Sequence, residues 1–369
     1  MPVEQLRLCV DSSHAIIATP QGQGDREGVQ RAIGDLIAYV RAADHAGADS
    51  FWLTEDPDGW EASQLLAIAA WETDRIRVGP GVFNPWYRHP AHIAASISTL
   101  DAVSDGRAFL GFGRGQTEWY ERGLGMTVEH PVTALEEAIG LLRQWFARPW
   151  VARGEAGAKI FRVAKWPRVT GPVQEHLPIY LAAVGPQALS VGARLADGII
   201  FNELASETFM ERTIGEVRAA AEAAGRDPAA LRFFARSAVA ITDDPEAVYE
   251  RRKATVAMIH ALPGMERLLE TPGFDTEAMI AEVRREMRTM EVLARGGNFP
   301  ELRAAGDLAA AKAAIPTALM HDLVVAGPVD AARAQLRTLR EIGVTDVFLA
   351  RPPGDPEAIG DVIAALLDA

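Results

Sequence analysis

Apolar and polar positions follow two rhythms along the chain. Short runs rich in β-branched and aromatic residues, bounded by glycine, proline or acids, read as strands. They fall at Leu6 to Val10, Asp49 to Thr54, Arg75 to Phe83, Ala108 to Phe112, Pro178 to Ala183, Asp197 to Phe201, Leu231 to Ile241 and Asp346 to Ala350. Between them, apolar residues recur three and four apart, the spacing of an amphipathic helix. A helix from about Val29 to Ala46 puts Ile33, Ile37 and Val40 on one face and stops at Gly47. Others are expected at Trp60 to Trp71, from Pro90 with Ile93, Ile97 and Leu100 inward, at 131–147 with Leu135, Ile139, Leu142 and Phe146 inward, from Ser206 to Ala224, and after Pro328 with Ala332, Leu336 and Leu339 inward.

Strands alternating with helices over the whole chain close into a (β/α)8 barrel or open as a doubly wound sheet. No glycine-rich dinucleotide fingerprint follows the first strand, which weakens the open-sheet alternative. The expectation is an α/β chain forming one (β/α)8 TIM barrel domain over residues 1–369. Two stretches break the rhythm. Residues 148–177, with glycines, basic residues and Trp166-Pro167, read as an excursion, hairpin-like, after strand four. Residues 263–320, with helical patterns at Ala278 to Leu293 and Leu308 to Ala314, read as a helical cap or a dimer contact before strand eight.

Composition narrows the function classes. Of 369 residues, 49% are hydrophobic and 24% charged, the balance of a soluble globular protein. The longest apolar run, Leu65 to Trp71, is far short of a membrane span. The first residues lack a basic start followed by an apolar stretch, so cytoplasmic residence without a membrane partner is expected. A net charge of −13 without a basic block disfavours nucleic acid. Cys9 stands alone, which excludes an internal disulfide and a thiolate metal cluster, and its apolar strand makes it a buried inert thiol. His89 and His92 can share a helix face, but no third histidine or nearby cysteine completes a catalytic zinc set, and no metal is expected. A metal-dependent barrel hydrolase would also need a His-x-His at the first strand, which is missing.

In a barrel the strand ends that carry the variable loops share one rim, so the chemistry belongs there. Asp11 ends the first strand and either caps a turn or serves as an acid. Glu55 and Asp56 end the second, either as a solvated turn or as site acids. The third strand runs into Gly79-Pro80-Gly81-Val82, and glycines at that place mark a bulge or a ligand close to the backbone. Asn84, Trp86 and Tyr87 then either line a pocket or, for the two aromatics, pack under the loop. The fourth strand enters Gly111-Phe112-Gly113-Arg114-Gly115, where Arg114 either binds an anion or faces solvent. After the fifth strand, Ala183-Val184-Gly185-Pro186-Gln187 is either an ordinary strand-to-helix turn or a helix start whose free N–H groups attract an anion.

The stretch from residue 75 to 125 resembles the bacterial luciferase-like family of flavin- and deazaflavin-dependent oxidoreductases. Thr99, Leu100, Asp101, Ser104, Gly106 and Arg107 match the family's Thr-Leu-Asp-x-x-Ser-x-Gly-Arg run, and the Gly-Phe-Gly-Arg-Gly continuation looks most like the branch using coenzyme F420, notably methylenetetrahydromethanopterin reductase. The resemblance implies hydride transfer between coenzyme F420 and a small organic substrate, with FMN-dependent monooxygenation as the rival. A non-catalytic flavin-binding protein is the alternative from another class. It further implies a cis peptide at Gly81-Val82 beside the cofactor ring, a cofactor loop at Gly113 to Gly115 and a phosphate turn at Gly185-Pro186. A homodimer or higher homo-oligomer is implied as well. The family's acid-histidine pair after strand two is replaced here by Glu55-Asp56, so Asp56, or else Glu55 or Asp11, would handle the proton. A carboxylate held beside such a ring would have its pKa raised by desolvation and so act as a general acid or base near neutrality.

Overall fold

The structure is a computed structural model that describes residues 6–13 and 25–367. Eight parallel strands form its centre: β1 (Arg7–Ser12), β2 (Ser50–Leu53), β3 (Arg77–Pro80), β4 (Leu110–Gly113), β5 (Ile179–Ala182), β6 (Gly198–Ile200), β7 (Arg232–Ile241) and β8 (Asp346–Leu349). They pair in the order β3-β2-β1-β8-β7-β6-β5-β4. Parallel bridges Val78–Ala108 and Phe83–Phe112 join β3 to β4 and close the ring. The expected (β/α)8 barrel is therefore present. Around it lie α1 (Arg26–Ala46), α2 (Ala62–Trp71), α3 (Pro90–Val103), α4 (Pro131–Phe146), α5 (Pro186–Leu195), α6 (Glu207–Ala223), α7 (Val329–Glu341) and α8 (Ile359–Leu367).

Glycine and bulk alternate inside the barrel. Trp52, Phe109, Tyr180, Phe234 and Phe348 fill it together with Cys9 and Ile200, and the Trp52 and Phe109 rings lie 4.2 Å apart. Such bulk fits only because neighbouring strands carry no side chain there. A Cβ on Gly79 would sit 2.5 Å from Phe109, and one on Gly111 would sit 2.0 Å from the Pro80 carbonyl oxygen and 2.8 Å from Trp52. These two glycines serve close packing. Cys9 is fully buried, and burial, with Asp346 and Asp49 nearby, pushes its thiol well up. Cys9, Asp49 and Asp346 lie close enough to suggest a metal site. Arg232 instead sits between the two acids, 2.7 Å from Asp49 and hydrogen-bonded to Asp346.

The Thr-Leu-Asp-x-x-Ser-x-Gly-Arg run belongs to the scaffold. Asp101, fully buried, accepts from the backbone N–H of Val173 at 2.7 Å and of Gln174 at 3.0 Å. Arg107 donates to the carbonyls of Ile76, Ala70, Thr73 and Ser104 at 2.6–2.8 Å. One acid and one guanidinium thus tie α2, α3, β3 and the excursion together. Gly106 has φ +79°, a conformation that side chains disfavour, which accounts for the glycine in the run.

The excursion after α4 holds a short antiparallel pair, Val151–Ala152 with Trp166–Pro167. Between β7 and β8 lies a helical insertion whose segments run from Pro245–Thr255 to Thr317–Leu323. Its own buried apolar cluster includes Leu269, Val283, Met287 and Leu319. The helix expected over Ala278 to Leu293 is two helices, Thr276–Glu286 and Thr289–Ala294, because Arg288 adopts φ +51°. The third strand ends at Pro80 rather than Phe83, where the chain turns through a cis peptide at Gly81-Val82.

Candidate active site

The C-terminal ends of the strands gather most of the residues singled out from the sequence. Gly81 N–H bonds the Leu53 carbonyl at 2.8 Å, and Phe83 N–H bonds that of Gly111 at 2.9 Å. The segment after β3 is thus stitched to the ends of β2 and β4. Gly113 packs tightly there, since a Cβ would come within 2.9 Å of Val82 and 3.2 Å of Ala182. Gly115 has φ +63° and lies against Tyr120. Trp86 packs under the loop, its Nε1 donating to the Arg114 carbonyl at 2.8 Å.

The two acids after β2 have different surroundings. Glu55 is buried and grips Arg88 through both carboxylate oxygens, with Arg88 Nε at 2.8 Å. Arg88 also pairs with Glu61 and lies 4.4 Å over the Phe83 ring. Burial alone would lower its pKa, but the bonds to Glu55 and Glu61 raise it. Asp56 meets Tyr120, whose hydroxyl donates to Oδ1 at 2.8 Å and accepts from Asn84 Nδ2 at 3.3 Å. The Tyr87 ring stands edge-on to Tyr120 at 5.5 Å. Burial, then Asp56, push the Tyr120 phenol far up, and burial, then Glu55 and Asp56, do the same to Tyr87. Both therefore stay protonated near neutrality and act as donors.

Asp11 faces a different set. Its Oδ2 accepts from Arg236 of β7 at 2.5 Å, and Arg236 also reaches Glu203 at 3.0 Å. Burial raises the Asp11 carboxyl, opposed by Arg236 and reinforced by Glu203. Burial also acts to raise Glu203, but Arg236 and Arg252 outweigh it and hold that carboxyl low. Of the two, Asp11 is the better proton holder. These groups line a cavity of about 350 Å³ with Ser13, Arg252 and Arg351, a size suited to a small ligand. The sheet order places it, at the ends of β1, β7 and β8, across the barrel from the β3 and β4 wall. A larger recess of about 700 Å³ lies between Glu129, His130 and residues 154–164, outside the strand ends.

The turn after β5 is open. Gly185 is the N-cap of α5 with no side-chain cap, and a Cβ there would meet nothing within 4 Å. Ala183 is buried, Val184 half-buried, and Pro186 and Gln187 exposed at the helix start. Uncapped N–H groups facing free space suit a phosphate. His89, by contrast, is used as the N-cap of α3, its Nδ1 accepting from Ala91 N–H at 3.1 Å.

Tyr120, Arg88, Glu203, Arg236 and Arg252 were not singled out from the sequence, for each acts on a partner remote in the chain. The helical insertion reaches the same rim from two sides. Arg122, two residues after Tyr120, donates to the Leu293 carbonyl at 2.8 Å, and Trp119 meets Phe299 edge-on at 4.5 Å. On the other side His260 bonds the Glu203 carbonyl at 2.8 Å.

Known proteins share this architecture. A 5,10-methylenetetrahydromethanopterin reductase of Methanolobus tindarius is 30% identical over 320 residues, covering 86% of this chain and 90% of the relative. A putative coenzyme F420-dependent oxidoreductase of Mycobacterium tuberculosis is 27% identical over 351 residues, covering 88% and 92%. The solved structure of a coenzyme F420-dependent tetrahydromethanopterin reductase from Methanopyrus kandleri superposes with a TM-score of 0.73 over 99% of both chains at 20% identity, a likeness of fold. The family model for luciferase-like monooxygenases matches residues 14–346. With the family model spanning most of the chain and a relative 30% identical over 86% of it, the chain belongs to the luciferase-like monooxygenase family.

Proposed function

We propose that this protein is an oxidoreductase that moves a hydride between coenzyme F420 and a small organic substrate at the C-terminal mouth of the barrel. The observation that carries the reading is the open turn at Gly185, whose uncapped helix start shares the rim with the Gly81-Val82 wall and Asp56. The relatives named for coenzyme F420 support the choice of cofactor. Residues 183–187 would hold its phosphate, Gly81, Val82 and Asn84 would stand beside its ring, and the backbone of Gly113, Arg114 and Gly115 would line the loop above. Bound there, the cofactor supplies the hydride chemistry. The chain's own task is to orient the pair, exclude water and hold a proton.

Asp56, fixed by Tyr120, is the proposed proton handler. Asp11 is the second reading, favoured by the burial that raises its carboxyl. Comparing Asp56→Asn with Asp11→Asn separates them, because the proton handler loses turnover with cofactor affinity retained.

Equilibrium titration of the purified protein with coenzyme F420 and with FMN tests the proposal. Tight F420 binding and F420-linked turnover are expected. Tight FMN binding with oxygen-dependent turnover would make it a monooxygenase instead, and binding without turnover across a broad substrate panel would make it a flavin-binding protein. Cytoplasmic residence and a homodimer belong to the same proposal. Among the described residues no helix is long and apolar enough to cross a membrane. Ile68 and Trp71, exposed on α2, offer an apolar face to a second copy, which sedimentation equilibrium checks.

A further inference from the structure

The cavity at the ends of β1, β7 and β8 carries more cationic than anionic groups. Among the described residues it is lined by Asp11 and Glu203 against Arg236, Arg252 and Arg351. Arg236 is engaged by both carboxylates, which leaves Arg252 and Arg351 to set the sign. Arg252 Nη1 stands 3.8 Å from Glu203, beyond hydrogen-bond reach, and its Nε has no hydrogen-bond partner. Arg351 is exposed and lies 4.8 Å over the Tyr39 ring, with no acid partner among the described residues. A pocket with surplus positive charge in a chain of net charge −13 concentrates anions against the trend of the surface.

We propose that Arg252 and Arg351 form the subsite for an oxyanion group of the substrate, a carboxylate or a phosphate ester, across the barrel from the cofactor turn at Gly185. This rests on the reading that the substrate enters the same mouth as the cofactor. Guanidinium groups suit the role because their planar donors match both oxygens of a carboxylate or phosphate. Arg236, held by Asp11 and Glu203, orders the wall behind them. The substrate's anionic group would then fix its distance from the β3 and β4 wall, where hydride transfer takes place.

Titration calorimetry with the full chain tests the subsite, using glutarate and glycerol 2-phosphate as probes and glutaramide as the neutral analogue. Saturable binding of at least one anion, and none of glutaramide, is expected. Arg252→Gln and Arg351→Gln should each weaken that binding at least tenfold, Arg252→Lys less, and Arg288→Gln, in the insertion, not at all. Arg351 is exposed, so Arg351→Gln decides the matter should Arg252→Gln fail to fold. Which anion binds better tells the carboxylate from the phosphate ester. Equal anion affinity in wild type and in Arg351→Gln overturns the proposal. A parallel loss of coenzyme F420 affinity in Arg351→Gln also overturns it, by assigning the guanidiniums to the cofactor. Failure of wild type to bind F420 at all counts against the proposed function alone, because the anion arm is read without cofactor.

Discussion

Tyr120 donates its hydroxyl proton to Asp56 Oδ1 over 2.8 Å, linking the short helix Thr117–Arg122 after β4 to the end of β2 across 64 positions of sequence. The Tyr120 hydroxyl oxygen in turn accepts from Asn84 Nδ2 at 3.3 Å, so three rim residues share one hydrogen-bonded chain. Replacing Tyr120 with Phe keeps the ring against Tyr87 and removes both bonds of the hydroxyl, the one given to Asp56 and the one taken from Asn84. Turnover should fall roughly tenfold or more, within the range that a positioned acid or base supplies, while the substrate KM changes little. The pH-rate profile should shift on its acidic limb. A profile identical to wild type would leave Tyr120 a packing residue only.

Adjacent acids should give opposite phenotypes. Glu55→Gln leaves Arg88 buried with only the half-exposed Glu61, and removing one partner of a buried pair costs about 3 kcal/mol. Asp56→Asn should cost little stability and most of the turnover. Urea denaturation beside steady-state kinetics separates the two. Unchanged stability in Glu55→Gln would remove the scaffold role given to Glu55.

What the sequence reveals of this molecule follows from how local each cause is. The strands are legible because β-branched runs must alternate with helices to bury both faces of a parallel sheet. Their ends are less so: β3 stops at Pro80, although the apolar run continues to Phe83. Asp56 and Asp11 stand out by position after strands, yet their partners, Tyr120 and Arg236, lie 64 and 225 positions away. Nothing near Tyr120 in sequence marks it as different from a surface tyrosine of a polar helix. The family run ending at Arg107 is the reverse case, conspicuous in sequence but bonded to backbone carbonyls away from the strand ends.

Two rim glycines should also part company. At Gly185 the backbone has φ −81° and ψ 151°, open to any residue, and a Cβ meets nothing. Gly185→Val should fold with wild-type stability and bind coenzyme F420 at least tenfold more weakly, since its branches occupy the proposed phosphate space. At Gly113 a Cβ would press on Val82 and Ala182, so Gly113→Ala should destabilise by about 1–3 kcal/mol through overpacking. Thermal unfolding and F420 fluorescence titration measure both. Full F420 affinity in Gly185→Val would exclude the phosphate assignment.

His260 predicts how stability varies with pH. It is fully buried in the π-turn Val256–His260, bonded to the Glu203 carbonyl, and burial pushes its pKa down to about 4. In the unfolded chain it returns to the ordinary value near 6.5. Between those two values the unfolded state binds a proton that the folded state refuses, so stability contributed by neutral His260 is complete above pH 6.5 and is lost as pH falls towards 4. A shift of that size corresponds to about 3 kcal/mol over the window. His260→Gln keeps a side-chain donor for the Glu203 carbonyl but cannot titrate. Urea unfolding of both proteins at pH 7 and pH 5 should therefore show a shallower pH dependence in the variant, with the gap between the curves narrowing on acidification. Parallel curves would mean that His260 takes up its proton in the fold as readily as in the unfolded chain, so that burial does not hold the imidazole neutral where the insertion meets Glu203.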